Sequence, residues 1–287
     1  MQALVLTDYK KLEMQDVERP VITSPTQVLI RVKAAAICGS DVHGYDGSSG
    51  RRRPPIVMGH EGSGVIEEVG AMVTGFAVGD RVTFDSTIYC GTCSYCRQGL
   101  FNLCDNRRVL GVSCEEYKQD GIFAEYALVE ERILFHLPPS LDFIQASLAE
   151  PAGVAAHAIS LAQVSLADDV AVVGAGLIGL LIIKLLRTMT SGTIIALDLD
   201  ENRRKKALEV GADKAFDPTQ SDMLSHVQQI TAGQMLPLVF EAVGATAPVQ
   251  TALSLVKKGG EVVLVGNITP EIKIPLQQVV TGNTQLY

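Results

Sequence analysis

The arrangement of apolar and polar positions changes character about halfway along the chain. Up to residue 148, β-branched residues fall in short runs broken by Gly and Pro. Residues 28–32, 63–69, 81–84 and 124–129 read as strands, with 51–55 and 138–140 as loops. From about residue 150 short apolar runs alternate with helical patterns. Residues 170–173 precede a helix from Leu177, and 194–197 precede a helix from Glu201. Residues 238–241 lead into another helix, and 261–265 follow it. Strands that alternate with helices build βαβ units and a parallel sheet. The pattern predicts an α/β chain of two domains, 1–148 and 149–287, with the seam at Glu150-Pro151-Ala152-Gly153.

Composition narrows the class. The 287 residues suffice for two domains of ordinary size. Hydrophobic residues at 47% and charged residues at 20% fit a chain with a substantial core and exclude a disordered one. A net charge of −8 removes the basic footprint of a nucleic-acid binder. The first eight residues lack the basic start and long apolar centre of a signal peptide. The longest apolar run, 177–186, contains Lys184 and is far shorter than the ~20 residues that span a bilayer. The expectation is a soluble, cytoplasmic protein with no membrane or nucleic-acid partner. In such a setting clustered cysteines bind metal more often than they form disulfides.

Four of the six cysteines cluster as Cys90-x2-Cys93-x2-Cys96-x7-Cys104. Four thiolates this close fill the tetrahedral sphere of a structural zinc and leave no position open for chemistry. The rival is an iron–sulfur cluster, whose common bacterial run has a shorter last spacing and a Pro after the final Cys; here Asp105 follows Cys104. A second set is Cys38-Gly-Ser40-Asp and Gly-His60-Glu61-Gly. Cys, His and Glu form a mixed donor set that suits zinc, and three protein ligands plus water is the pattern of a catalytic site. Cys114 stands alone and reads as a spare thiol.

The third feature is Gly174-Ala-Gly176-Leu177-Ile178-Gly179, placed between an apolar strand and a helix, with Asp198 at the end of the next strand. The first glycine permits the tight turn, the second lets a pyrophosphate approach and the third allows helix–strand packing. The helix N-terminus offers amide donors to the phosphates. Asp198 is placed for the adenosine ribose and repels a 2′-phosphate, which favours NAD over NADP. Arg203, one turn into the next helix, covers the adenosine side, and Val265 and Gly266 complete the cofactor set.

Taken together and in this order, these motifs resemble the zinc-dependent medium-chain dehydrogenase/reductase family, and within it the polyol dehydrogenases of the sorbitol type. The resemblance implies a GroES-like β catalytic domain, a Rossmann doubly wound parallel sheet, and assembly as a homodimer or homotetramer. It implies a catalytic zinc held by Cys38, His60 and a carboxylate from Glu61 or Glu150. It also implies hydride transfer from a small-molecule alcohol or polyol to NAD, with Ser40 and then His43 relaying the proton and Glu61 or Glu150 available as a base. Polyol, sugar-alcohol phosphate, vicinal diol and 3-hydroxy amino acid all suit such a site. The triplet Arg51-Arg52-Arg53 reads either as a phosphate contact or, on an acidic protein, as a solvated loop. Residues 279–287 read as the start of the last strand of the cofactor domain. Family members run on past that strand to complete the catalytic domain, so the alternative expectation is a zinc- and NAD-binding remnant with impaired catalysis.

Overall fold

The computed structural model describes residues 1–287 and divides into two units, Met1–Glu150 and Pro151–Tyr287. In the first unit the long strand Gln27–Ala36 pairs antiparallel with Glu61–Val69 on one side and Tyr126–Glu130 on the other. Arg81–Phe84 and Leu134–His136 complete this five-stranded sheet. Val28, Ile30, Ile66, Val82 and Phe84 pack one core, and Leu29 and Thr83 between them are buried on the other face. A smaller sheet joins Gln2–Asp8, Lys11–Asp16 and Ile56–Val57. The cysteine-rich lobe, by contrast, is built from two-residue strands and a four-residue helix, Ser94–Arg97.

The second unit is a six-stranded parallel sheet. Numbered within this unit, its strands are ordered 3-2-1-4-5-6, so the order reverses between the first, Val170–Val173, and the fourth, Leu236–Glu241. Ligands of open α/β sheets bind beyond the carboxyl ends of the strands at such a reversal. Val170–Val173 and Ile194–Leu197 are buried throughout, as strands covered on both faces must be. Helices Leu177–Leu186 and Glu201–Val210 follow them as the pattern predicts. The last segment departs from expectation. Residues 276–282 form a helix, Leu276–Gly282, closed by Asn283 in the left-handed region, and only Gln285–Leu286 joins the sheet. The apolar residues of that stretch serve both elements, since Val279 and Leu286 pack against the same core. No helix is long and apolar enough to cross a membrane.

Candidate active site and cofactor turn

Cys38 lies two residues beyond the strand Gln27–Ala36, and His60 immediately precedes Glu61–Val69. Antiparallel pairing sets Ala36 opposite Glu61, so the register itself brings Cys38 beside His60 and Glu61. One ligand atom from each of the three lies within 4.8 Å of the others. The buried Oε2 of Glu61 has no hydrogen-bond partner. Burial pushes the Glu61 carboxyl pKa up, against the pull of Cys38 and His60. For His60, burial alone would lower the pKa, but the facing Asp41 and Cys38 outweigh it and raise it to about 10. The group of acids thus draws a positive charge to itself. A thiolate, an imidazole and a carboxylate with an orphaned oxygen fit zinc.

Sequence reasoning gave Asp41 no role, yet it supports this set. It is the third residue of the helix Gly39–Tyr45, and its Oδ2 accepts the Cys38 N–H at 3.1 Å. Its Oδ1 lies 3.4 Å from His60 Nδ1. The available signal was its spacing, three residues after the N-cap, where a side chain reaches back to the cap amide. Ser40 Oγ is 3.4 Å from His60 Nε2. His43 Nδ1 pairs with Ser48 Oγ at 3.2 Å.

Glu150 lies outside the close group of Cys38, His60 and Glu61, and its Oε1 accepts the Ser86 hydroxyl at 3.0 Å. Burial raises its carboxyl pKa, opposed first by the positive charge of His60. Arg52 is not part of a solvated loop. Its side chain is 5% exposed and faces Asp41, while Arg51 and Arg53 are exposed.

The sulfurs of Cys90, Cys93, Cys96 and Cys104 form the second close group, with no disulfide among them. Backbone amides point at the thiols: Cys90 N–H donates to Cys104 Sγ at 3.2 Å, and Cys93 N–H to Cys90 Sγ at 3.4 Å. Hydrogen bonds from Thr92 and then Cys93 bring Cys90 down to about 5, while burial pushes Cys96 up to about 12. A preformed tetrad with thiolate-stabilising amides fits a structural zinc. Cys114 stays apart as a half-buried free thiol.

In the second unit Gly174 has φ +95°, which makes the turn out of the first strand. Gly176 caps the helix Leu177–Leu186, and a Cβ there would meet nothing within 4 Å. A Cβ on Gly179 would instead fall 1.8 Å from the Gly174 carbonyl oxygen. Asp198, nearly buried, accepts the Ala175 N–H at 2.8 Å and the Asp200 N–H at 2.9 Å, with Arg203 Nη1 3.8 Å away. Leu177 and Ile178 open the helix beside the uncovered Gly176. That open cradle at a helix N-terminus fits a pyrophosphate. Val265 and Gly266 donate their N–H groups to the Glu241 carbonyl at 2.8 and 3.0 Å. Glu241 itself was missed in the sequence. It is fully buried, and its carboxylate accepts the Val243 and Gly244 amides.

Residues 24–139 match the alcohol dehydrogenase GroES-like domain, and residues 178–287 match the zinc-binding dehydrogenase domain. The chain is 39% identical to the sorbitol dehydrogenase of Halalkalibacterium halodurans over 98% of its own length and 81% of the relative's. The chain belongs to the zinc-dependent medium-chain dehydrogenase/reductase family. Among solved structures, this dehydrogenase is similar to the alcohol dehydrogenase TADH from Thermus sp. ATN1, with TM-score 0.92 and 32% identity over 100% of this chain and 84% of that one. A structure described as a zinc-binding dehydrogenase from Sinorhizobium meliloti 1021, bound to NADP, gives TM-score 0.90 and 31% identity over 99% and 82%. The protein is thus an oxidoreductase of the zinc-dependent dehydrogenases, with zinc and NAD(P) as its cofactors.

Proposed function

We propose that this dehydrogenase oxidises a secondary hydroxyl of a polyol to the ketone, with NAD as the cofactor. The observation that carries the reading is the close set of Cys38, His60 and Glu61 with the Ser40 hydroxyl beside it. When bound, zinc supplies Lewis acidity at the substrate hydroxyl, and NAD accepts the hydride. The chain's own residues do the rest. Ser40 Oγ takes the hydroxyl proton, and His43, on the same helix and paired with Ser48, is the next carrier. Glu150, held by Ser86 and made a stronger proton acceptor by burial, serves as a neighbouring base rather than a ligand. Cys90, Cys93, Cys96 and Cys104 hold the structural zinc. Asp198 takes the adenosine ribose through the lone pairs its two amide contacts leave free, and its charge disfavours a 2′-phosphate.

The sorbitol dehydrogenase relative supports the polyol class. Assembly as a homodimer or homotetramer in the cytoplasm belongs to the same reading. The test is a screen of polyols, polyol phosphates and vicinal diols against NAD and NADP, run on protein whose zinc content has been measured. Turnover of a polyol with NAD, lost in Cys38→Ser while NAD affinity is kept, is the expected result. Two zinc ions per chain without turnover of any alcohol would instead favour the impaired remnant.

A further inference from the structure

Arg52 is a guanidinium with almost no access to water, placed at the edge of the proposed catalytic zinc site by residues distant in the sequence. Its stem lies against Gly44 in the helix Gly39–Tyr45, where a Cβ would come within 2.2 Å of Arg52 Cγ. Its backbone is pinned on both flanks: Ser113 N–H donates to the Arg51 carbonyl at 3.2 Å, and Arg53 N–H donates to the Ser113 carbonyl at 2.9 Å. A side chain and a helix face are thus shaped to each other, which a mobile surface arginine would not require.

The head group faces two residues already placed at the site. Arg52 Nη2 lies 3.7 Å from Asp41 Oδ1 and donates to Ser40 Oγ at 3.4 Å. The same Asp41 Oδ1 lies 3.4 Å from His60 Nδ1. Asp41 is 2% exposed, so its carboxylate has no water to compensate its charge. Arg52 Nε has no hydrogen-bond partner, and buried ion pairs are on average poor stabilisers compared with apolar residues of similar volume. An arrangement that costs stability and ends on a metal ligand calls for another role.

We infer that Arg52 is a positioning residue for the catalytic centre: it holds Asp41 against His60 and directs the Ser40 hydroxyl. With Arg52 donating to Ser40 Oγ, the oxygen keeps a lone pair for an incoming proton, and its own hydrogen points away from the guanidinium. With Arg52 beside it, Asp41 Oδ1 is kept facing His60 Nδ1 at 3.4 Å, which orients the ring with Nε2 on the Ser40 side as the nitrogen for the metal. Both contacts come from Nη2, while Nη1 donates to the Arg51 carbonyl at 3.3 Å and so fixes the plane of the guanidinium; a lysine ammonium supplies the charge without that fixed plane. Arg52 is too enclosed to receive a substrate phosphate, so Arg51 and Arg53, which are exposed, are left to any anion contact.

The inference rests on the zinc assignment to Cys38, His60 and Glu61, and the test separates the two. Zinc release from the full chain to a chromogenic chelator is followed in the parent, Arg52→Met, Arg52→Lys and Cys38→Ser, alongside kcat, KM and NAD affinity. In Arg52→Met one zinc should leave roughly 10–100-fold faster, the size usual for loss of a group that orients a ligand. The four-cysteine zinc, lost only in Cys93→Ser, should leave at the parent rate, and NAD affinity should hold. Arg52→Lys should recover part of the release rate but not the kcat, because it restores charge without the plane that Nη1 fixes and that aims Nη2 at Ser40 Oγ. Parent-like zinc release in Arg52→Met overturns the inference. So does equal acceleration at both zinc sites, which marks a general folding defect. Failure of the dehydrogenase reading looks different: the parent would bind both zinc ions and turn over no alcohol, with the release rates still in the expected order. Failure of the ligand assignment would show as two zinc ions retained in Cys38→Ser.

Discussion

Alanine at Gly176 and alanine at Gly179 add the same methyl group to one turn, and should do opposite things to the free protein. At Gly179 the new Cβ would sit 1.8 Å from the Gly174 carbonyl oxygen and 3.0 Å from its carbon. Both are backbone atoms, so no side chain can swing aside. The strand Val170–Val173 or the helix Leu177–Leu186 has to move. Overpacking of that kind costs about 1–3 kcal/mol, which lowers Tm by roughly 2–12 °C in a protein of this size. At Gly176 the Cβ meets nothing within 4 Å, and φ −72° and ψ −171° suit alanine. A less flexible unfolded chain contributes about 0.4–1 kcal/mol in its favour. The loss of a glycine N-cap offsets part of that. Stability should therefore stay within about 1 kcal/mol of the parent. The open space is where a pyrophosphate would lie, so the methyl removes an amide contact to a charged group. That is worth about 1.5–3 kcal/mol, or roughly a 10–150-fold weaker Kd for NAD. Thermal unfolding without cofactor and calorimetric titration with NAD measure the two quantities separately. A Gly176→Ala variant that melts as early as Gly179→Ala, or that binds NAD like the parent, refutes the assignment of separate roles to the two glycines.

Three further outcomes are expected. Elemental analysis should find two zinc ions per parent chain and one in Cys93→Ser, which should also lose thermal stability as the lobe opens, since structural zinc contributes directly to folding. Asp198→Ser should raise the NADP-to-NAD ratio of kcat/KM at least tenfold and lower Tm, because the Ala175 amide loses its acceptor; an unchanged ratio would remove Asp198 from cofactor choice. Glu241 has its pKa raised by burial. Its neutral form therefore suits the fold, and that contribution is complete below the unfolded-state pKa and is lost as pH rises through the folded one. Glu241→Gln should accordingly melt higher than the parent at pH 8 and at the same temperature near pH 4, and a variant less stable at both pH values contradicts this.

The parts of the fold that rest on local pattern were readable in the chain. Val170–Val173 and Ile194–Leu197 are short, wholly apolar runs flanked by turn signals, and they are buried strands. Cys38 and the His60-Glu61 pair were recognisable as donors because their chemistry is unusual, although nothing local says that Ala36 pairs with Glu61. What failed depended on distant partners. Arg51, Arg52 and Arg53 look alike in sequence, and only Gly44 and Ser113 decide that the middle one turns inward. Glu241 reads as the end of a strand, and its burial follows from the turns that close over it. Residues 279–286 carry apolar residues compatible with either a helix or a strand, a short ambiguity that periodicity alone does not resolve.

The donors of the proposed catalytic zinc sit at the matched ends of two neighbouring strands, whereas Ser40 and His43 belong to a short helix and Arg51 to Arg53 to a connecting segment. This divides the labour of change. The metal is tied to the most cooperative part of the first unit, where a slip of one residue would turn every side chain of the core outward. The exposed Arg51 and Arg53 hang on a connecting segment that tolerates replacement, whereas Arg52 between them is packed against Gly44 and faces the metal site. A scaffold built this way can drift from one alcohol to another without renegotiating its metal. Selection for a new substrate should therefore leave its marks at exposed positions such as Arg51 and Arg53 long before it touches the sheet, Asp41 or Arg52.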